Sequence, residues 1–65
     1  MENDLWAKAQ SIGGWREVES RQFPEGSVLC RFILHKNGRI YCAGWFADGK
    51  LAMSKTLEKY ENENS

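Results

Sequence analysis

Proline is almost missing from this chain, with one among 65 residues, and neither sign of charge prevails, with nine basic groups against nine acidic. Each shortage excludes something. A proline-poor chain that is 42% hydrophobic and 12% aromatic is too apolar to stay disordered. Zero net charge removes the basic excess that indiscriminate binding to nucleic acid or anionic lipid requires. The longest stretch without a charged side chain runs only from Ile40 to Ala47, well short of the roughly 20 residues that span a bilayer. The amino end, Met1-Glu2-Asn3-Asp4, is acidic where a secretory leader opens on basic residues. Two cysteines, Cys30 and Cys42, are too few for the disulfide framework of a small secreted scaffold. The chain reads as reduced, cytoplasmic and without a membrane segment.

Catalytic punctuation is also missing. There is no glycine-rich loop opening a helix, no Ser–His–Asp order and no metal-binding helix motif. Gly13-Gly14 precedes a strand-like segment instead. A chain of this length makes one domain, residues 1–65, and hides only about 60% of the surface it would expose unfolded. A deep enclosed active site is not expected, and neither enzyme activity nor a cofactor is inferred.

What is present is punctuated clearly. Leu5, Ala9 and Ile12 recur at helical spacing. Asn3 or Asp4 offers a cap and Gly13 a stop, which predicts a helix over 4–12. Residues 15–20 alternate as a strand. Phe23-Pro24-Glu25-Gly26 reads as a turn. Two apolar, β-branched runs over 28–35 and 39–47 flank Asn37-Gly38, the strongest short-range hairpin signal. Asp48-Gly49 repeats the turn chemistry, so residues 50–55 are expected as a further strand. A short helix over 56–60 and a frayed acidic tail over 61–65 complete the reading. The expected fold is α+β, with an N-terminal helix packed on a three- to four-stranded antiparallel meander.

Register decides which side chains meet, because a slip of one residue moves every side chain to the other face. A two-residue Asn37-Gly38 turn pairs Lys36 with Arg39 and leaves both faces about equally apolar. A three-residue loop pairs His35 with Arg39. It collects Val28, Cys30, Phe32, Leu34, Ile40, Cys42 and Phe46 on one uncharged face. The second partition is cleaner and is preferred. Its opposite face carries Leu29, Arg31, Ile33, His35, Arg39, Tyr41, Ala43 and Trp45.

Cys30, His35 and Cys42 are the one cluster with metal-ligand chemistry. Their spacing is wrong for zinc, a fourth ligand is lacking, and the preferred register sends His35 to the face opposite the thiols. A Cys30–Cys42 disulfide fails because diagonal neighbours in a sheet stand about 7–8 Å apart. A Cys–His nucleophile needs both groups on one face, which only the rejected register provides. Glu17 and Glu19 read as solubilising carboxylates.

The outer sheet face remains. Arg31, His35, Arg39, Tyr41 and Trp45 combine arginine with aromatic rings, the composition of interaction hot spots and of sheets that stack bases. Residues 28–56 hold five basic groups against Asp48 alone, whereas both ends of the chain are acidic. The stretch from Gly38 to Tyr60 resembles, in outline only, the sheet-and-helix layout of some DNA-reading modules, and such likeness licenses no function. The sequence therefore points to a small non-enzymatic binding protein that modulates or inhibits a protein partner, of the kind phages and mobile elements encode. A homodimer through the same face is a second option, and a small nucleic-acid-binding module is the alternative.

Overall fold

The computed structural model describes residues 2–65, with side chains from Asp4 onward. Helix α1 (Glu2–Ile12) leads into strands β1 (Trp15–Gln22), β2 (Val28–Lys36) and β3 (Arg39–Tyr41), and helix α2 (Gly49–Glu63) follows. The sheet is antiparallel with order β1-β2-β3. This is an α+β fold in the order helix, sheet, helix. The helices cover one face of the sheet, and no element covers the other among the described residues.

Local chemistry explains the joints. Asn3 and Asp4 fall inside α1, which already begins at Glu2, so neither stands at the expected cap position. The α1–β1 joint requires glycine. Gly14 has φ +80°, and a β-carbon there would overlap the His35 carbonyl oxygen. The β1–β2 hairpin closes through the expected turn, where Gly26 N–H donates to the Phe23 carbonyl at 2.8 Å.

The β2–β3 hairpin corrects the expected register. Lys36 pairs with Arg39 across a two-residue turn, with Asn37 at φ 54° and Gly38 at φ 76°. Both positive angles belong to a type I′ turn, whose twist matches that of the flanking strands. Hairpin geometry prevails over the tidier apolar partition. Tyr41 enters the core at 3% exposure, and Ile40 faces solvent at 67%.

The partition is recovered further along by a local irregularity. Tyr41 pairs with Leu34, and Phe46 bridges Cys30. One side advances four residues (34 to 30) while the other advances five (41 to 46). The extra residue acts as a bulge. It ends β3 at Tyr41, far short of the expected 47, and Gly44 within it takes φ +125°. Beyond it the faces are exchanged, so Phe46 returns to the core and Trp45 to the open side.

The expected fourth strand over 50–55 is not formed. Those residues, the expected short helix over 56–60 and most of the expected frayed tail make one helix, α2. Asp48 is its N-cap rather than part of a turn, with Oδ1 accepting from Lys50 N–H at 2.9 Å. At the other end Asn64 N–H reaches the carbonyls of Tyr60 and Glu61, and Glu61 pairs with Lys8 of α1 at 2.8 Å.

The core is the space between the helices and one face of β2. Ala9, Phe32, Leu34, Tyr41, Ala52 and Leu57 form it, with Leu5, Ile12, Phe46, Met53 and Tyr60 at its margin. Burial of a side chain such as Phe32 or Leu57 contributes about 1.5–3 kcal/mol.

Candidate partner-binding face

Side chains on a strand alternate between faces. On β1 the even-numbered residues face the helices, as Arg16 shows by donating from Nη1 to the Ala9 carbonyl at 3.3 Å. The odd-numbered residues Trp15, Glu17, Glu19 and Arg21 therefore face the open side. Their cross-strand partners are His35, Ile33, Arg31 and Leu29. Ile40, opposite His35, joins them from β3.

These side chains interact in two groups. At one end the rings of Trp15 and His35 lie 4.5 Å apart, and His35 Nε2 is 3.2 Å from Glu17 Oε2. At the other end Arg31 Nε donates to Glu19 Oε1 while its guanidinium lies over Trp45, 4.7 Å from the ring centroid. Trp45 meets Phe23 edge to face at 5.6 Å, and Arg21 lies over Phe23 at 5.7 Å. The bulge makes this second group possible, because without the exchange of faces Trp45 would point toward the helices. The hydrogen bond to Glu19 is the main cause that raises the Arg31 proton affinity above that of an ordinary arginine, against a smaller desolvation cost.

Between the two groups sits Ile33. It is only 8% exposed although no element among the described residues covers it. Its neighbours Glu17, Glu19, Arg31, His35, Ile40 and Cys42 form with it a shallow depression of about 290 Å³. The aliphatic stems of the charged residues shield apolar surface while their heads remain wet.

Three of the five residues singled out from the sequence, Arg31, His35 and Trp45, share this face. The other two do not. Tyr41 is buried on the helix side, edge to face with Tyr60 at 5.1 Å, and its hydroxyl accepts from Asn64 Nδ2 at 3.3 Å. Arg39 pairs with Lys36, and Lys36 Nζ donates to the Ile12 carbonyl at the end of α1. That contact puts the pair on the helix side of the hairpin tip, where Arg39 is exposed.

Sequence reasoning passed over Glu17 and Glu19 as solubilising groups. Their signal was available, since strand alternation sets them beside Trp15 and across from β2. The cysteines are free, and they separate. Cys30 lies beside Ser20 on the helix side, Oγ to Sγ 3.8 Å, whereas Cys42 lines the open depression with His35. The observed register thus puts thiol and imidazole on one face, where His35 Nε2 is directed to Glu17. Among the described residues no group of three His, Cys, Asp or Glu side chains is arranged to hold a metal ion. No helix is long and apolar enough to cross a membrane, among the same residues. Comparison with protein-family models, curated proteins and solved structures returned no match for this chain.

Proposed function

We propose that the chain is a small non-enzymatic binding protein that occupies a surface of a protein partner with the open face of its sheet. The observation that carries this reading is the Phe23–Trp45–Arg31–Glu19 array beside the nearly dry Ile33. Tryptophan and arginine dominate binding hot spots when a partner excludes water from them. Here the aromatic ring and guanidinium are already held in place by contacts within the chain. Such preorganisation lowers the ordering cost of association.

The nucleic-acid alternative loses its main support. The basic surplus seen along residues 28–56 is dispersed, because Lys50 and Lys55 belong to α2 on the far side of the sheet. On the open face Arg31 is matched by Glu19 and His35 stands against Glu17, which leaves only Arg21, stacked on Phe23, without a carboxylate partner among the described residues. Strand-tracking surfaces need unmatched cationic groups to release counterions.

The test is site-specific photo-crosslinking in the native host. A photoreactive residue at position 40, exposed on the open face outside the Trp45–Arg31 array, should capture a discrete partner, and one at the exposed helix position 58 should not. Arg31→Ala in the position-40 protein should abolish capture, whereas Arg39→Ala should leave it intact. Equal capture from positions 40 and 58 would sink the proposal. Salt-sensitive binding of bare oligonucleotides would instead favour the alternative.

A further inference from the structure

We infer that the free edge of β1 is a self-association site, at which two copies of the chain join antiparallel and make one six-stranded sheet. The inference differs from the open-face reading in what joins the copies, backbone groups at the sheet edge, although open-face side chains of β1 set the register.

The backbone geometry identifies the available groups. Cys30 N–H donates to the Phe46 carbonyl and Phe46 N–H to the Cys30 carbonyl, at 2.7 and 2.8 Å. The polar groups of Cys30 therefore point toward the β3 side. Direction alternates along an antiparallel strand, so Leu29, Arg31, Ile33 and His35 point toward β1. Their partners Arg21, Glu19, Glu17 and Trp15 point back toward β2. The N–H and C=O groups of Arg16, Val18, Ser20 and Gln22 are left facing outward. β1 is an edge strand, and no strand or loop hydrogen-bonds to these outward groups among the described residues. An unpaired edge along an eight-residue strand is a template for another strand. The opposite edge is blunted, because β3 has three residues and ends at the bulge.

The occupant that fits is a second copy of β1. Strands related by a twofold axis perpendicular to the sheet pair residues of like parity, and two registers compete. In the first, Val18 lies on the dyad, Glu17 faces Glu19 twice, and Gln22 falls opposite Gly14. In the second, Glu19 lies on the dyad. Arg16 then exchanges hydrogen bonds with Gln22 and Val18 with Ser20, so every outward group of the four residues finds a partner. The intervening positions set Glu17 against Arg21 twice and Trp15 against Phe23 twice. These are non-hydrogen-bonded positions, where side chains approach most closely. The glutamates at the dyad are each held by Arg31 of their own chain. Charge complementarity selects the second register.

Exposure agrees with this placement. Val18 and Trp15 are 60% and 59% exposed, and Trp6, whose ring carries the Arg16 guanidinium, is 44% exposed. All three lie on β1 or over it, where a second copy would cover apolar surface.

Sedimentation velocity over a micromolar-to-millimolar concentration series tests the inference. The wild-type chain should pass reversibly from monomer to dimer. Ser20→Pro removes an outward N–H without touching the β1–β2 ladder, and proline is tolerated at such edge positions. This variant should remain monomeric while its circular dichroism is unchanged. Glu17→Arg, which sets like charges opposite one another twice, should weaken dimerisation roughly tenfold, and adding Arg21→Glu should restore it. A wild-type monomer at the highest concentration would overturn the inference. So would a dimer indifferent to both Ser20→Pro and Glu17→Arg. Crosslinking from position 40 should survive Ser20→Pro, so failure here and failure of the open-face reading are read separately.

Discussion

Thr56 is the one buried polar side chain among the described residues, at 1% exposure. Its hydroxyl donates to the Phe32 carbonyl at 3.0 Å and accepts from Ala43 N–H at 3.2 Å. The place of this bridge has a physical reason. The Phe32 carbonyl points toward the side where β3 would continue, and the bulge after Tyr41 removes the backbone partner it would have there. A side chain from α2 replaces the missing rung. Thr56→Val keeps the shape and removes the hydroxyl, so it should cost about 1–3 kcal/mol for each group left unsatisfied. Thr56→Ser should retain most of that stability, and urea denaturation of the pair measures the difference. The same residue explains a gap in the sequence reading. Ala52, Met53, Thr56, Leu57 and Tyr60 form the inward stripe of α2, and a polar residue at its centre hides the helical period. The alternation of Leu51 and Met53 then reads as a strand.

Elements were legible where local chemistry and tertiary context agree. The Leu5–Ala9–Ile12 stripe places α1, proline and glycine place the first turn, and Asn37-Gly38 places the second. Context decided the rest. Asp48-Gly49 is ambiguous on its own, since aspartate initiates turns and caps helices by the same side-chain acceptance. The rest of α2 after Leu51, from Ala52 to Glu63, settles it as a cap. Asp48→Ala should therefore lower stability by about 1 kcal/mol, read as a shifted denaturation midpoint with an unchanged slope. The β2–β3 register was misjudged because a single register was assumed for the whole strand pair. The two-residue turn governs the pairs near Lys36 and Arg39, and the bulge reverses parity before Trp45 and Phe46. For this reason the sequence correctly separates Trp45 from Phe46 yet exchanges the faces of Tyr41, Ile40 and Cys42.

At the scale of the molecule, the open face was recognisable by composition but not by charge. Counting along the chain suggested a basic sheet between acidic ends, and folding redistributes those charges. Glu17 and Glu19 come from the acidic first third to lie beside His35 and Arg31, and the lysines of α2 move to the opposite side. The acidic end does not fray free either, since Glu61 pairs with Lys8 across the two helices.

The paired charges also set how a partner would be found. An arginine whose field is cancelled by its own glutamate attracts little at a distance, so encounter proceeds without long-range steering. Association with the partner should run at about 10⁵–10⁶ M⁻¹s⁻¹, and stopped-flow traces should change little as ionic strength rises. Discrimination then resides in the lifetime of the complex. The Trp45–Arg31 contact would act as a clasp that slows departure rather than a beacon that speeds arrival.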